Sequence, residues 1–539
     1  MAERRTVASE FGVTRRQHSF AQVPSVQIPR SVFNRSCNVK TTFDAGYLVP
    51  IFVDESLPGD TFRMKASVFG RLATPIYPVM DNFYVDVFFF AVPVRLIWNN
   101  WQKFNGEQVD PGDSTDFLVP QMTETVADLS LSDYLGIPTG ITDLQFNSLH
   151  HRAYNLIWNE WFRDENLQDS VVVDKDDGPD TSGDYVLLRR GKRHDYFTSC
   201  LPFAQKGTAV ELPLGTSAPI LGGPIDATSK GDGKPTFDVG TATASKLTGT
   251  TGDLFADWSQ NTAGGGQQDA VWNDPKLEVI TSGLTADLSS ATAATINQIR
   301  EAFQIQRLYE RDARGGTRYT EVIRSHFGVV SPDQRLQRPE FLGGGSARVN
   351  TYPVANAFLT GNRATLGGFS TVSNDGIGFV KSFTEHCVLL GLANLRADIT
   401  YQHGLDRMMS RQTRFDFYWP ALAHLGEQAV LNKEIYAQGD ANDDLVFGYQ
   451  ERYAEYRFKP SRVTGLMRSE ATGTLHAWHL ALDFTSLPAL NSTFIEDDPP
   501  FDRVTGVPAE PHLLFDAFFD FRCARPMPTY SVPGLIDHF

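Results

Sequence analysis

The run from Tyr84 to Pro93, YVDVFFFAVP, is the sequence feature that most restricts how this chain folds. It is almost continuously β-branched or aromatic, which is typical of a strand that is buried on both faces. A buried helix is the alternative for a short apolar run, but Pro93 counts against extending one. The run therefore predicts a sheet that is covered on both sides.

The residues around this run have the same character. Between residues 41 and 90, short apolar or alternating runs are separated by PGD at 58–60 and TP at 74–75, which is typical of strands and turns. The whole chain contains 38 Phe, 30 Pro and 44 Gly, a mixture that favours strands joined by long ordered loops. No block repeats at a fixed period. We therefore predict one mainly β core with large loop excursions.

The charge is unevenly distributed along the chain. The net charge is −16, whereas proteins that coat nucleic acid usually show a basic surface. Residues 1–40 are the exception, with seven basic and two acidic side chains. We predict an extended basic arm here, and a loose terminal tail is the alternative. We hypothesise that four arginines of this arm contact nucleic-acid phosphates, namely Arg4, Arg5, Arg15 and Arg16. The alternative is that these charged side chains are simply solvated by water.

Two segments have apolar residues at helical spacing. The first is 143–165, with the stripe Phe146, Leu149, Ala153, Leu156, Ile157 and Trp161. The second runs from Thr295 to about Ala313 and is followed by a Gly-Gly stop. Both are interpreted as packing helices. His150 and His151 lie on the first one, and because neighbouring helical residues point about 100° apart, we predict a surface or interface role for them and no shared metal.

Residues 207–294 differ in composition from the rest of the chain. This segment contains 13 Gly, 10 Asp or Glu and 4 Lys, and it has no Arg. It is too long for a simple connection inside a compact domain, so the alternatives are an inserted surface feature and disorder. We predict an insertion, Gly207 to Ala294, because apolar runs such as LEVITSGL give it points that can dock.

Sequence signatures of catalysis and metal binding are missing. The phosphate-loop, dinucleotide, serine-elbow, zinc-protease and calcium-loop patterns do not occur. The four cysteines lie far apart, which argues against a disulfide framework or a zinc site. The triad Glu385-His386-Cys387 is interpreted as part of a buried strand. The glycine run 343–345 is interpreted as a flexible turn, with a phosphate cradle as the alternative. We therefore expect no catalytic, cofactor or metal residues and no membrane insertion.

A dense group of both charges lies along the end of the second helical segment and just after it. This pattern fits a salt-bridged face against neighbouring chains better than an acid and base pair. The predicted assembly interface consists of Arg307, Glu310, Arg311, Arg314 and Arg318.

Several long segments resemble one known family. They are residues 30–60 (RSVFNRSCNVKTTFDAGYLVPIFVDESLPGD), the stretch ATPIYPVMDNFYVDVFFFAVPVRLIWNNWQKFNGE, the helix ATINQIREAFQIQRLYERDARGGTRYTEVIRSHFGV, the motif RPEFLGGG and the tail YSVPGLIDHF. Together they resemble the major capsid protein of the Microviridae, in particular its gokushovirus branch. The resemblance spans nearly the whole chain outside 207–294.

The resemblance implies a fold and a function. The fold would be an eight-stranded antiparallel viral jelly roll with long inter-strand loop insertions that contain short helices. The protein would assemble with itself into a T=1 icosahedral shell around a circular single-stranded DNA genome, with a separate small basic protein neutralising most of the DNA. The insertion 207–294 would rise at the three-fold axes and bind a host surface receptor.

The sequence therefore favours a non-enzymatic capsid subunit, located in the virion and assembled in the bacterial cytoplasm. The predicted organisation is a basic arm at 1–40 and one jelly-roll domain at 41–539 that carries the insertion 207–294. The rival from another class is a β-rich carbohydrate-binding protein or glycosidase, in which Glu451 and Glu455 would be the paired carboxylates.

Overall fold

A computed structural model describes residues 29–207, 296–316, 318–355 and 366–530, together with six short strands between 220 and 286. The chain divides into two compact units, one containing residues up to Lys206 and from Glu310 onward, the other Gly207–Tyr309.

Strands dominate the described residues. In chain order they are β1 (Ser31–Asn34), β2 (Cys37–Phe43), β3 (Val49–Ser56), β4 (Thr61–Leu72), β5 (Phe83–Pro93), β6 (Gln121–Glu124), β7 (Leu144–Asn147), β8 (Ile220–Gly222), β9 (Ala227–Ser229), β10 (Trp258–Ser259), β11 (Val271–Trp272), β12 (Leu277–Val279), β13 (Leu284–Ala286), β14 (Glu340–Ala355), β15 (Leu366–Ser382), β16 (Cys387–Ala397), β17 (Glu427–Leu431), β18 (Val446–Glu451) and β19 (Leu513–Arg525).

One large antiparallel sheet organises the first unit. Its order is β1-β19-β4-β15-β14-β5-β16-β3, and β2 also pairs with β19, beside β1 on the same edge. Nine strands therefore fill eight positions. The order divides into one half with β1 and β2, β19, β4 and β15, and a second half with β14, β5, β16 and β3, joined through the β14–β15 pair. This is the strand order of a jelly roll, the fold that the family resemblance implies.

The main core lies between the two halves of the sheet. Along β19 the residues alternate, with Phe515, Phe519 and Phe521 buried and their neighbours turned to solvent. Phe52 of the opposite half lies 5.1 Å from Phe519 and 5.4 Å from Phe521, measured between ring centroids. Such tilted and edge-on ring pairs add to the free energy gained by burying apolar surface. The many Phe residues thus pack the two halves of the sheet against each other.

A second core covers the outer face of the β3, β16 and β5 half. The helix Leu149–Trp161 packs there, with Tyr154, Ile157 and Trp158 among its buried residues. Strand β5 is consequently buried on both sides, and Phe89 and Phe90 face different cores. The structure thus confirms the prediction made from the run Tyr84 to Pro93.

The helices are few, and most form a single turn. They are α1 (Trp101–Phe104), α2 (Leu131–Tyr134), α3 (Leu149–Trp161), α4 (Ile296–Gly315), α5 (Tyr319–Phe327), α6 (Asp333–Leu336), α7 (Arg407–Ser410), α8 (Asn432–Ile435) and α9 (Ser492–Ile495). Short 3-10 turns are Val94–Leu96, Ser182–Asp184, Arg414–Asp416, Pro420–Leu422, Ala441–Asp444, Ala454–Tyr456, Gly465–Met467, His476–Trp478 and Phe501–Arg503. These elements lie mostly in two long connections, between β5 and β14 and between β16 and β19.

The second unit, Gly207–Tyr309, contains six short strands among its described residues. Its short strands form three antiparallel pairs, β8 with β13, β9 with β12 and β10 with β11. The pairs are nested in the sequence. The β10–β11 pair lies between β9 and β12, and the β9–β12 pair lies between β8 and β13. The predicted insertion 207–294 falls within this unit.

Three local interpretations from the sequence are wrong. Glu385 and His386 are half-buried and precede strand β16, which begins at Cys387, so the three residues do not form one strand segment. The glycine run 343–345 is part of strand β14 and pairs with β5, with a register irregularity between Phe341 and Gly343. His151 is fully buried, and its ring stacks on Phe146 at 5.4 Å. Burial lowers the pKa of His151 to about 3, so this side chain is a neutral part of the core.

The predicted arm is only partly described. Residues 31–34 and 37–43 form β1 and β2 at the edge of the sheet. Arg4, Arg5, Arg15 and Arg16 lie outside the described residues, as does most of the segment 207–294.

Candidate assembly surface

A short aromatic run lies on the surface of the connection between β16 and β19. Its sequence, FDFYW at residues 415–419, is here called the aromatic segment. Asp416 fixes its first turn, because its carboxylate accepts hydrogen bonds from the backbone N–H groups of Gln412 (3.0 Å) and Thr413 (2.6 Å). The hydrogen bonds from the Thr413 and Gln412 backbone also hold the pKa of Asp416 below its ordinary value. Pro420 then opens a 3-10 turn that ends the segment.

Four rings of the aromatic segment face solvent. Phe415 is 59% exposed and Phe417 is 53% exposed, and Tyr418 and Trp419 are also exposed. Single exposed apolar side chains are ordinary, whereas a contiguous group of them marks an interaction site. Tyr456 extends the group, since its ring centroid lies 6.2 Å from that of Tyr418. The aromatic segment and Tyr456 therefore form one apolar surface.

Arginines brace these rings. The Arg411 guanidinium lies 4.4 Å from the ring centroid of Tyr456 and 5.3 Å from that of Phe417, and Arg414 lies 4.6 Å from that of Trp419. Such cation–π contacts hold the rings in place before any partner arrives. Exposed Tyr, Trp and Arg are the residues that most often dominate protein–protein interfaces. The composition of this surface therefore fits an assembly contact.

The predicted interface residue Arg314 is already engaged inside the chain. It lies 2.6 Å from the carboxylate of Glu427 and 3.6 Å from that of Glu451, two residues that face each other across the β17–β18 hairpin. Burial raises the pKa of Glu427, and the nearby Arg314 charge opposes that rise. Arg314 thus fixes the hairpin to the end of helix α4.

Arg318 is engaged in the same way. Its guanidinium lies 2.6 Å from Glu165 and 3.2 Å from Glu321, and it donates to the backbone carbonyls of Asn159 and Arg163. These carbonyls lie at the C-terminal end of α3, where the helix leaves acceptors unpaired and where a cation is favoured. Arg318 therefore stabilises the end of α3.

The other predicted interface residues are placed on α4. Arg307 and Arg311 are exposed, and Glu310 is half-buried. Their part in assembly stays a prediction. The aromatic segment is a stronger candidate that the sequence reasoning did not assign, although four rings within five residues between Arg414 and Pro420 are a visible signal.

The described part of the chain offers few groups of side chains that could support metal binding or catalysis. Within the described ranges, no set of three or more His, Cys, Asp and Glu side chains could hold a metal ion. Of the helices described, none combines the length and the apolar character needed to cross a bilayer. Glu451 and Glu455, the rival glycosidase pair, are both in ion pairs, with Arg314 and Arg411 respectively.

Comparison with known proteins agrees with the resemblance described from the sequence. Residues 21–535 match the family model described as "Capsid protein (F protein)". The chain is 50% identical to capsid protein VP1 of Bdellovibrio phage phiMH2K, with 98% of this chain and 100% of the relative covered. It is 42% identical to capsid protein VP1 of Chlamydia phage 1 and 36% identical to that of Spiroplasma virus 4, each over 96% of this chain and 98% of the relative. The resemblance predicted from sequence is confirmed.

Proposed function

Because the chain belongs to the phage capsid protein (F protein) family, we propose that it is a major capsid protein that assembles with copies of itself into the shell of the virion. The match across nearly the whole chain carries this proposal. The jelly roll agrees with it, since viral shells commonly use this double sheet. The glycosidase alternative is not favoured, and the proposed role needs no catalytic residue.

The finer proposal is a T=1 icosahedral shell that encloses circular single-stranded DNA and is assembled in the bacterial cytoplasm. A chain with a net charge of −16 cannot neutralise a genome by itself. A separate small basic protein would therefore supply most of the positive charge, and the arm residues Arg4, Arg5, Arg15 and Arg16 would add to it.

Closed particles are the expected result when the purified chain is studied by negative-stain electron microscopy and size analysis at neutral pH. A shell protein associates by mass action, so assembly should increase with protein concentration. If the chain stays monomeric, it should be expressed together with the other proteins of the virus. A monomer under both conditions would contradict the proposal.

The second unit is proposed to be a host-attachment module. Its support is the separate compact unit at Gly207–Tyr309 and a composition rich in Gly and Asp without Arg between 207 and 294. We expect that replacing 207–294 by a short Gly-Ser linker leaves particles that assemble but no longer adsorb to host cells. Adsorption is measured by the loss of free particles from the medium. Lost assembly would contradict a modular role, and normal adsorption would contradict a receptor role.

A further inference from the structure

A small cavity lies against the long connection between β16 and β19. Its volume is about 210 Å³, and its lining comes from residues 196–197, from 401–409 and from several positions between 434 and 468. All of these residues belong to the first unit. A cavity of about 150 Å³ is large enough to hold a benzene molecule. This cavity therefore has room for one ring and a small substituent.

Aromatic rings form one wall of the cavity. Phe197 packs edge-on against Tyr401, with ring centroids 4.8 Å apart, and its ring lies 5.1 Å from that of Tyr196. Both tyrosine hydroxyls already have a carboxylate partner. Tyr196 donates to Glu434 at 2.8 Å, and Tyr401 donates to Asp195 at 2.7 Å. The wall is therefore held in place before a ligand arrives, and it offers ring surface for packing.

The carboxylates of the cavity are paired with cations. Among the described lining residues there are three such pairs, with N–O distances of 2.9, 3.3 and 2.9 Å: Glu434 with Arg407, Glu455 with Arg411 and Asp406 with Lys459. Burial raises the pKa of Glu434, and the Arg407 charge opposes that rise. The acidic groups of the lining are thus balanced by cations and leave no excess negative charge.

Two further arginines line the cavity, and the fold does not use them. Arg462 and Arg468 are both exposed, so they lie at the mouth of the cavity. Within the described part of the chain, neither guanidinium makes an ion pair or a hydrogen bond. Arg462 lies near Asp406, but that carboxylate already accepts from Lys459. An apolar interior therefore opens at a mouth with two available positive charges.

We propose that this cavity binds a small aromatic carboxylate, with the ring on the aromatic wall and the carboxylate at Arg462 and Arg468. Guanidinium groups bind carboxylates through charge-assisted and often bidentate hydrogen bonds. A neutral ring would leave both charges unused, and a small anion without a ring would leave the interior unfilled. The site goes beyond the proposed capsid function and does not depend on it, because one chain supplies all of its residues.

The test uses the full chain as unassembled subunits and three fluorinated probes, with binding followed by fluorine nuclear magnetic resonance. The probes are para-fluorobenzoate, para-fluorobenzyl alcohol, which lacks the charge, and fluoroacetate, which lacks the ring. A ligand of about ten non-hydrogen atoms binds in the millimolar range or more tightly. We expect para-fluorobenzoate to bind in that range and more tightly than the other two probes. Equal binding of either other probe, or no binding of para-fluorobenzoate, overturns the proposal.

The variant R462Q/R468Q tests the charges at the mouth. It should bind para-fluorobenzoate more weakly, by roughly 10-fold to 150-fold for each arginine that contacts the carboxylate, and should bind para-fluorobenzyl alcohol like the wild type. Both arginines are exposed, so the melting temperature should stay at its wild-type value. The matched control R193Q/R335Q also removes two exposed arginines, and Arg193 lines a different groove with aromatic residues. An equal loss in this control, or unchanged affinity in R462Q/R468Q, contradicts the assignment.

The variant V463F tests the cavity itself. Val463 is a half-buried lining residue, and a phenylalanine there competes with the ligand for the same space. Binding of para-fluorobenzoate and of para-fluorobenzyl alcohol should both be lost, in contrast to R462Q/R468Q. Circular dichroism shows whether V463F is folded, and R462Q/R468Q decides the question if it is not. Undiminished binding in folded V463F would place the ligand elsewhere and refute the site.

Discussion

Replacing Arg152 with Met is expected to lower the free energy of unfolding by about 3–5 kcal/mol, the usual cost of leaving one partner of a buried ion pair alone. Arg152 is completely buried on helix α3, and its guanidinium donates to Asp180 through Nε at 2.7 Å and through Nη2 at 2.5 Å. It also donates to the backbone carbonyls of Ile97 and Asp176. The arginine thus ties α3 to two loops.

The acid dependence of this effect follows from the pKa of Asp180. Burial alone would raise that pKa, but hydrogen bonds from Arg152 and Ser148 and the Arg152 charge bring it below its ordinary value. In the wild type the ionised carboxylate therefore stabilises the fold above the unfolded-state pKa of about 3.9, and this contribution is lost as the pH falls through the lower folded-state pKa. In R152M the Asp180 carboxyl is still buried but has lost the arginine, so its pKa is higher than in the wild type and it becomes protonated at a higher pH. The stability difference should therefore narrow below about pH 4.

Urea denaturation followed by tryptophan fluorescence measures this prediction at pH 7 and at about pH 3, below the ordinary pKa of an aspartate. R335Q is the matched control, because Arg335 is exposed, and it should change the free energy of unfolding by less than about 0.5 kcal/mol. The double variant R152M/D180N should recover part of the loss, since no unpaired charge stays buried. A loss below about 1 kcal/mol in R152M would contradict the assigned role.

The fold class was predictable because the strongest signals are local. The run Tyr84 to Pro93 reads as a doubly buried strand from its own residues, and β5 occupies Phe83–Pro93. The helix predicted within 143–165 begins only at Leu149, because residues 144–147 pair as β7 with β6. That pairing depends on residues 121–124, which no local periodicity reveals.

The glycine run shows why other features were not predictable. A Cβ atom on Gly343 would meet the Gly378 carbonyl oxygen at 2.7 Å, and one on Gly344 would meet that of Val87 at 2.5 Å. These glycines are needed where strands approach closely, and the approaching strands are distant in sequence. The same reason explains Arg314 and Arg318, whose carboxylate partners Glu427 and Glu165 are far along the chain. Composition shows a charged cluster but cannot show where its partners lie.

The double variant F417S/W419S of the aromatic segment is expected to abolish shell formation while leaving the subunit folded. Both rings are exposed, so their removal costs the monomer little. Aromatic hot spots in interfaces contribute about 2 kcal/mol or more each, which corresponds to roughly thirtyfold weaker association per residue. Because a closed shell repeats each contact by symmetry, the weakening acts at every copy.

Sedimentation and negative-stain electron microscopy measure the assembled fraction, and circular dichroism confirms that the variant is folded. The control L118S/V330S removes two apolar side chains that are even more exposed but lie outside the aromatic segment, and it should assemble normally. R307Q/R311Q tests the interface predicted from sequence in the same assay. If F417S/W419S forms shells as the control does, the aromatic segment is not an assembly contact. If R307Q/R311Q alone fails, the exposed face of α4 is the contact instead, because Arg307 and Arg311 are its exposed cations.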